Sequence, residues 1–178
     1  FSIKKIYDRF KKSLSIFFNI ITVLKRLDSK EDIFKLKTGD QFTRSNRRTL
    51  FTGPEIGNTY QRGINWIGTP PNYELVIIKS KPEEYQDRWL HKPTLFLYYL
   101  RIDHKFSSKS QINYNSKENS SLLNQNIHKA PVLLTIEDKV DKNLINVSGY
   151  FKVITKCADN EVHKGTDSVI LEKISDSL

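Results

Sequence analysis

The chain has one cysteine, Cys157, and no methionine among its 178 residues. A single thiol excludes an intrachain disulfide and a multi-thiolate zinc site, and it suits a reducing, cytoplasmic setting. Glycine occurs only seven times and forms no phosphate-cradling loop. His91, His104, His128 and His163 are dispersed, with no pair at metal-ligand spacing, so neither a metal nor a cofactor is expected. No serine sits in a nucleophile elbow. Long apolar runs are also missing. The densest stretch, 16–24, is broken by Asn19 and Thr22 and falls far short of the ~20 residues a span needs, so no membrane partner is expected. No small-residue cleavage site follows it. Acidic residues are the scarcer charge, 20 against 29 Lys and Arg, which leaves a net charge of +9. That balance favours a polyanionic partner. The absence of methionine and the start at Phe1 imply a piece of a longer protein.

What is present reads as one domain with an attached helix. Residues 1–27 carry Ile3, Ile6, Phe10, Leu14, Phe17, Ile21 and Leu24 at steps of three and four, one apolar stripe of an amphipathic helix. Residues 1–30 are therefore taken as an N-terminal helix or linker and 31–178 as the domain. In that domain the apolar period shifts toward two. Strands are expected at 33–37, 62–67, 73–79, 95–102, 131–136, 144–155 and 168–174, and a short helix at 43–51 capped by Thr43 or Ser45. The fold class is mainly β with short helices, an antiparallel barrel or sandwich of about seven strands. Phe96, Tyr98, Tyr99, Trp66 and Trp89 are expected to lie mostly in its core.

Two segments carry the residues of a nucleic-acid reader. The first, 41–66, contains Arg44, Arg47, Arg48 and Arg62 with Asn46, Asn58, Tyr60, Gln61 and Asn65, and only Glu55 as an acid. Arg clamps guanine and Asn or Gln clamps adenine through paired hydrogen bonds, while Lys and Arg neutralise phosphates. The second, 101–129, offers Arg101, Lys105, Lys109, Lys117 and Lys129 with Gln111, Asn113 and many serines. It reads as a long polar loop. A competing chemistry sits at Glu137-Asp138-Lys139. With Asp103, Glu137 and Lys139 would supply the carboxylates and lysine of a magnesium-dependent nuclease.

Phe42-Thr43-Arg44 before a short helix, Arg62-Gly63-Ile64-Asn65-Trp66, and Tyr85-Gln86-Asp87-Arg88-Trp89 before an aromatic strand form an ordered set. So do 95–101 followed by Ser107-Ser108-Lys109-Ser110, and 132–136 followed by Val147-Ser148-Gly149. Together they resemble the B-three-like pseudobarrel target-recognition domains of bacterial restriction endonucleases of the phospholipase-D-like or helicase-linked type. The resemblance implies an antiparallel pseudobarrel whose two arms grip the major groove of double-stranded DNA. Tyr60, Gln61, Arg62, Asn65 and Trp66 would form the first arm, and Arg101, Lys105, Ser107, Lys109 and Gln111 the second. Arg44 and Arg48 would hold phosphates. It further implies a non-catalytic chain in a type II restriction endonuclease, beside a nuclease domain of the same parent chain and within a homodimer formed through that parent. A related pseudobarrel class instead turns a modified cytosine out of the duplex into an aromatic pocket, for which Tyr98, Tyr99 and Trp89 are available.

Overall fold

The computed structural model describes residues 24–51, 55–58, 61–82, 84, 86–103, 111–158 and 167–178, with the side chains of Asp103 and Gln111 excepted. The helix expected over 1–27 lies outside these residues as far as Val23. Residues 24–28 are extended instead: the Lys25 N–H donates to the Gln41 carbonyl at 2.6 Å, and Leu27 is buried. The Asn46 side chain clamps Leu27 by accepting from its N–H and donating to its carbonyl, so tertiary bonds replace the helical ones.

Helix α1, Lys30–Phe34, stands where a strand was expected. The reason is local: the Asp32 carboxylate accepts the N–H groups of Asp28 and Ser29 at 3.0 and 3.1 Å, closing the first turn. Those bonds hold the Asp32 carboxyl down at about 2. Ile33 and Leu36, three apart, then point into the core, where the Tyr150 hydroxyl donates to the carbonyls of both. Strand β1, Gln41–Thr43, leads into α2, Arg44–Leu50, whose N-cap Thr43 accepts from the Asn46 N–H as expected.

Nine strands form one sheet. In spatial order they are β2 (Ile56–Gly57), β3 (Ile64–Thr69), β4 (Asn72–Ser80), β9 (Val132–Glu137), β10 (Leu144–Cys157), β11 (Ser168–Ser175), β6 (Leu95–Tyr99) and β5 (Arg88–His91), with β1 paired to β10. Two further strands, β7 (Ile102–Asp103) and β8 (Gln111–Ile112), pair only with each other. The fold is mainly β, with more strands than expected, because two- and three-residue strands leave no alternation to read. One pairing departs from the antiparallel rule: β4 and β9 run parallel, with Lys79 opposite Thr135 and Ser80 opposite Ile136. Both strands therefore end at the same edge of the sheet. The polar stretch read as one loop holds α3, Lys117–Leu123, and α4, Gln125–His128.

The core is split by the sheet. Leu75 and Ile77 of β4 join Leu133 and Tyr150 under α1 and α2, whereas Val76 and Ile78 join Val132, Leu134, Phe96 and Leu122 on the other face. Burial on both faces explains why 75–78 and 132–134 read as continuous apolar runs. Gly149, at φ +112°, marks a bulge in β10, where a Cβ would come within 2.8 Å of Thr38 Oγ1.

Candidate nucleic-acid interface

Where β4 and β9 end, charged residues enter the interior. Lys79 follows the apolar run of β4, Glu137 closes β9, and α2 lays Arg44 and Arg47 across them. Arg47 is only 2% exposed; its guanidinium donates to the Arg62 carbonyl at 3.0 Å and to Asn65 Oδ1 at 2.6 Å, and lies 4.6 Å from the Phe51 ring centroid. Burial lowers its pKa to about 10, so it stays charged at neutral pH. Arg44 reaches Glu137 at 3.4 Å. Lys79 is 7% exposed; its backbone N–H donates to the Gly63 carbonyl at 2.7 Å, but its ammonium makes no hydrogen bond or ion pair with any described residue. Burial first, then the field of Arg47, pulls its pKa down to about 8, with Glu137 opposing.

Side chains alternate across a strand, so Ser80 points away from Lys79. There it meets Asp87, the residue before β5. Asp87 is 4% exposed, and its carboxylate accepts the Tyr99 N–H at 2.9 Å. Burial raises its carboxyl to about 6, against the lowering effects of the Tyr99 N–H and of Ser80. The Ser80 hydroxyl, fully buried, completes no hydrogen bond among the described residues. Tyr98, the neighbour of Tyr99 on β6, brings its hydroxyl beside the first arm: a Cβ at Gly63 would lie 3.0 Å from it. Asp87 is thus a buried carboxylate held by a backbone N–H next to Ser80, with acceptor capacity left over for a planar polar group.

The described ends of the two segments expected as arms are tied to α3. Asn119 of α3 is wholly buried and accepts the Arg101 N–H at 2.8 Å while donating to the carbonyls of Arg101 and Asn113 at 2.9 Å each. Glu118, its neighbour, pairs with Arg101 and accepts from the Asn58 amide at 3.2 Å. Asn58 also donates to the Ile64 carbonyl. One turn of α3 thus ties Asn58 to Arg101 through Glu118.

The residues expected from the sequence differ in where the structure places them. Arg48 and Gln61 are exposed, Arg62 is half-buried, and Arg44 is 46% exposed. Asn65 and Trp66, expected on a DNA-facing arm, are buried in this conformation. Asn65 holds Arg47 and donates to the Gly57 carbonyl, and Trp66 packs so closely on Gly57 that a Cβ there would fall 1.9 Å from its indole nitrogen. Arg101 is ion-paired with Glu118. Tyr60, Lys105, Ser107 and Lys109 lie outside the described residues; Gln111 faces Asp103 across the β7–β8 ladder. For the nuclease alternative, Glu137 is buried on Arg44, whereas Lys139 is exposed in the turn beyond it. Among the described residues no group of three His, Cys, Asp or Glu is placed to hold a metal. Trp89 packs edge-on to Phe96 in the core. Lys79 and Asp87 escaped the sequence reading as site residues. The signal for Lys79 was a lysine continuing an uninterrupted apolar strand.

No protein-family model and no curated protein matches the sequence. The fold, however, is shared with solved structures. The DNA recognition domain of the cytosine modification-dependent restriction endonuclease LpnPI superposes with a TM-score of 0.53 at 10% identity, over 83% of this chain and 78% of that one. The DNA modification-dependent restriction endonuclease AspBHI matches at 0.55 and 13% identity, over 87% of this chain but only 46% of its own. The SUVH5 SRA domain in complex with methylated CHH DNA matches at 0.54 and 19% identity, over 78% of this chain and 89% of that one. The chain thus has the fold of restriction-endonuclease DNA recognition domains and SRA domains.

Proposed function

We propose that this chain is the double-stranded-DNA recognition domain of a restriction endonuclease, and that it reads a modified cytosine turned out of the duplex. The observation that carries the reading is Asp87. Its carboxylate is buried next to Ser80, fixed by the Tyr99 backbone N–H and left with lone pairs to offer. Cytosine presents an exocyclic amino donor, and a base taken out of the stack is read by hydrogen bonds to its edge and by aromatic neighbours. The structural neighbours support the same class, being described as modification-dependent endonucleases and as an SRA domain bound to methylated DNA.

In this reading the two arms hold the duplex while the pocket takes the base. The exposed Arg48 and Gln61, with Arg62, favour an added contribution from flanking sequence read in the major groove, with Arg44 and Arg48 on phosphates. Cleavage belongs to a nuclease domain elsewhere in the parent chain, a cytoplasmic bacterial type II hydrolase acting as a homodimer. The match to AspBHI supports such a division, since the shared fold covers only 46% of that endonuclease chain.

The test is a duplex carrying 2-aminopurine next to a single 5-methylcytosine. Binding that turns the cytosine out unstacks the probe and raises its fluorescence. Tight binding with no fluorescence change would assign the domain to major-groove reading alone.

A further inference from the structure

Lys79 is not explained by the pocket, because it lies on the opposite face of β4. The residue is only 7% exposed, and its ammonium makes no hydrogen bond or ion pair with any described residue. Isolated buried charges are strongly unfavourable and are ordinarily paired. The facing groups are Arg44 and Arg47 from α2, Lys81 and Glu84 just beyond β4, and Glu137 from β9. Glu137 is engaged by Arg44 and Glu84 by Lys81. With Lys79, four cations gather around two carboxylates where β4 ends, close to Asp87.

We propose that Lys79, flanked by Arg44 and Arg47, is the seat of a single backbone phosphodiester of the bound strand, next to the nucleotide whose base enters the Asp87 pocket. The proposal rests on the DNA-recognition reading and deepens it: one end of β4 presents Ser80 and Asp87 to the base on one face and Lys79 to the phosphate on the other. A phosphate oxygen supplies the acceptors that Lys79 lacks and balances the excess charge. Lysine suits this role as a compact point charge with three donors.

The experiment measures affinity against salt for the wild-type chain, Lys79→Gln and Lys79→Arg, on duplexes with and without a modified cytosine. Lys79→Gln weakens both duplexes by the same factor and lowers the slope of log K against log salt by about 1, one fewer phosphate contact. Lys79→Arg keeps the slope. It also keeps its affinity above pH 8, where the wild type weakens as Lys79 loses its proton. A methylphosphonate replacing the phosphate beside the modified cytosine weakens the wild type and leaves Lys79→Gln unchanged. Lys79→Gln removes a buried charge, so a melting temperature at or above wild type confirms that it folds. Inorganic phosphate alone is the second probe: if it stabilises the wild type against heat as strongly as the duplex does, the seat takes free phosphate and the proposal is overturned. An unchanged slope in a Lys79→Gln protein that still distinguishes the modified duplex overturns the phosphate seat and leaves the DNA reading standing. Failure of the wild type to bind any duplex overturns both.

Discussion

At neutral pH Asp87 is ionised in surroundings that oppose ionisation, and the consequence for stability has a definite sign. Its folded pKa of about 6 lies above the ordinary 3.8, so between those values the folded state holds more proton than the unfolded one. Stability then falls as pH rises from about 4 to about 6 and is level above. Asp87→Asn removes that dependence. It is expected to stabilise the chain by up to about 3 kcal/mol at pH 7, by the two-unit shift, and by little near pH 4. Urea denaturation at the two pH values measures it, and a variant less stable at pH 7 would count against the burial argument. Asn65 is the opposite case. Its carbonyl oxygen is one of the shown acceptors of the buried Arg47 guanidinium, and a hydrogen bond to a charged group contributes about 1.5–3 kcal/mol. Asn65→Ala should lower the unfolding free energy by at least that much, with Arg47 left short of an acceptor.

The elements differ in how openly the sequence announced them. β4, β9, β10 and β11 were legible because 75–78 and 132–134 are unbroken apolar runs and β10 is long. α2 was legible from its Thr43 cap. α1 was not, since Ile33 and Leu36 fit a short strand as well as a helical turn, and only the Asp32 carboxylate bonding back to Asp28 and Ser29 decides the matter. α3 was hidden in a Ser- and Asn-rich stretch in which Leu122 and Leu123 are the only adjacent apolar pair. Its position depends on Asn119, a residue whose burial no local pattern signals. The site was legible in its cations and not in its pocket: Arg44 and Arg48 stand out by charge, whereas Asp87 becomes notable only once β5 and β6 pair and place the Tyr99 N–H against it. Asn119→Ala removes three hydrogen bonds at the roots of the arms and should cost about 2–4 kcal/mol. Amide exchange should quicken at Arg101, and unchanged protection there would show that α3 does not anchor the second arm. Gly149→Ala, at φ +112° with Thr38 and Lys173 close by, should likewise destabilise, by about 2 kcal/mol or more in a thermal melt.

For the whole molecule, a net charge of +9 makes any nucleic acid a partner at low salt, so affinity alone distinguishes little. In the proposed function, reading of a base by the buried Asp87 carboxylate is what adds discrimination to the charge. The direct measurement is competition between two duplexes identical except for one 5-methylcytosine, at ~150 mM salt, near physiological ionic strength, with the wild-type chain and with Asp87→Asn. The wild type is expected to prefer the modified duplex, and Asp87→Asn to bind both with equal affinity while folding normally. Equal affinity of the wild type for the two duplexes would contradict the account.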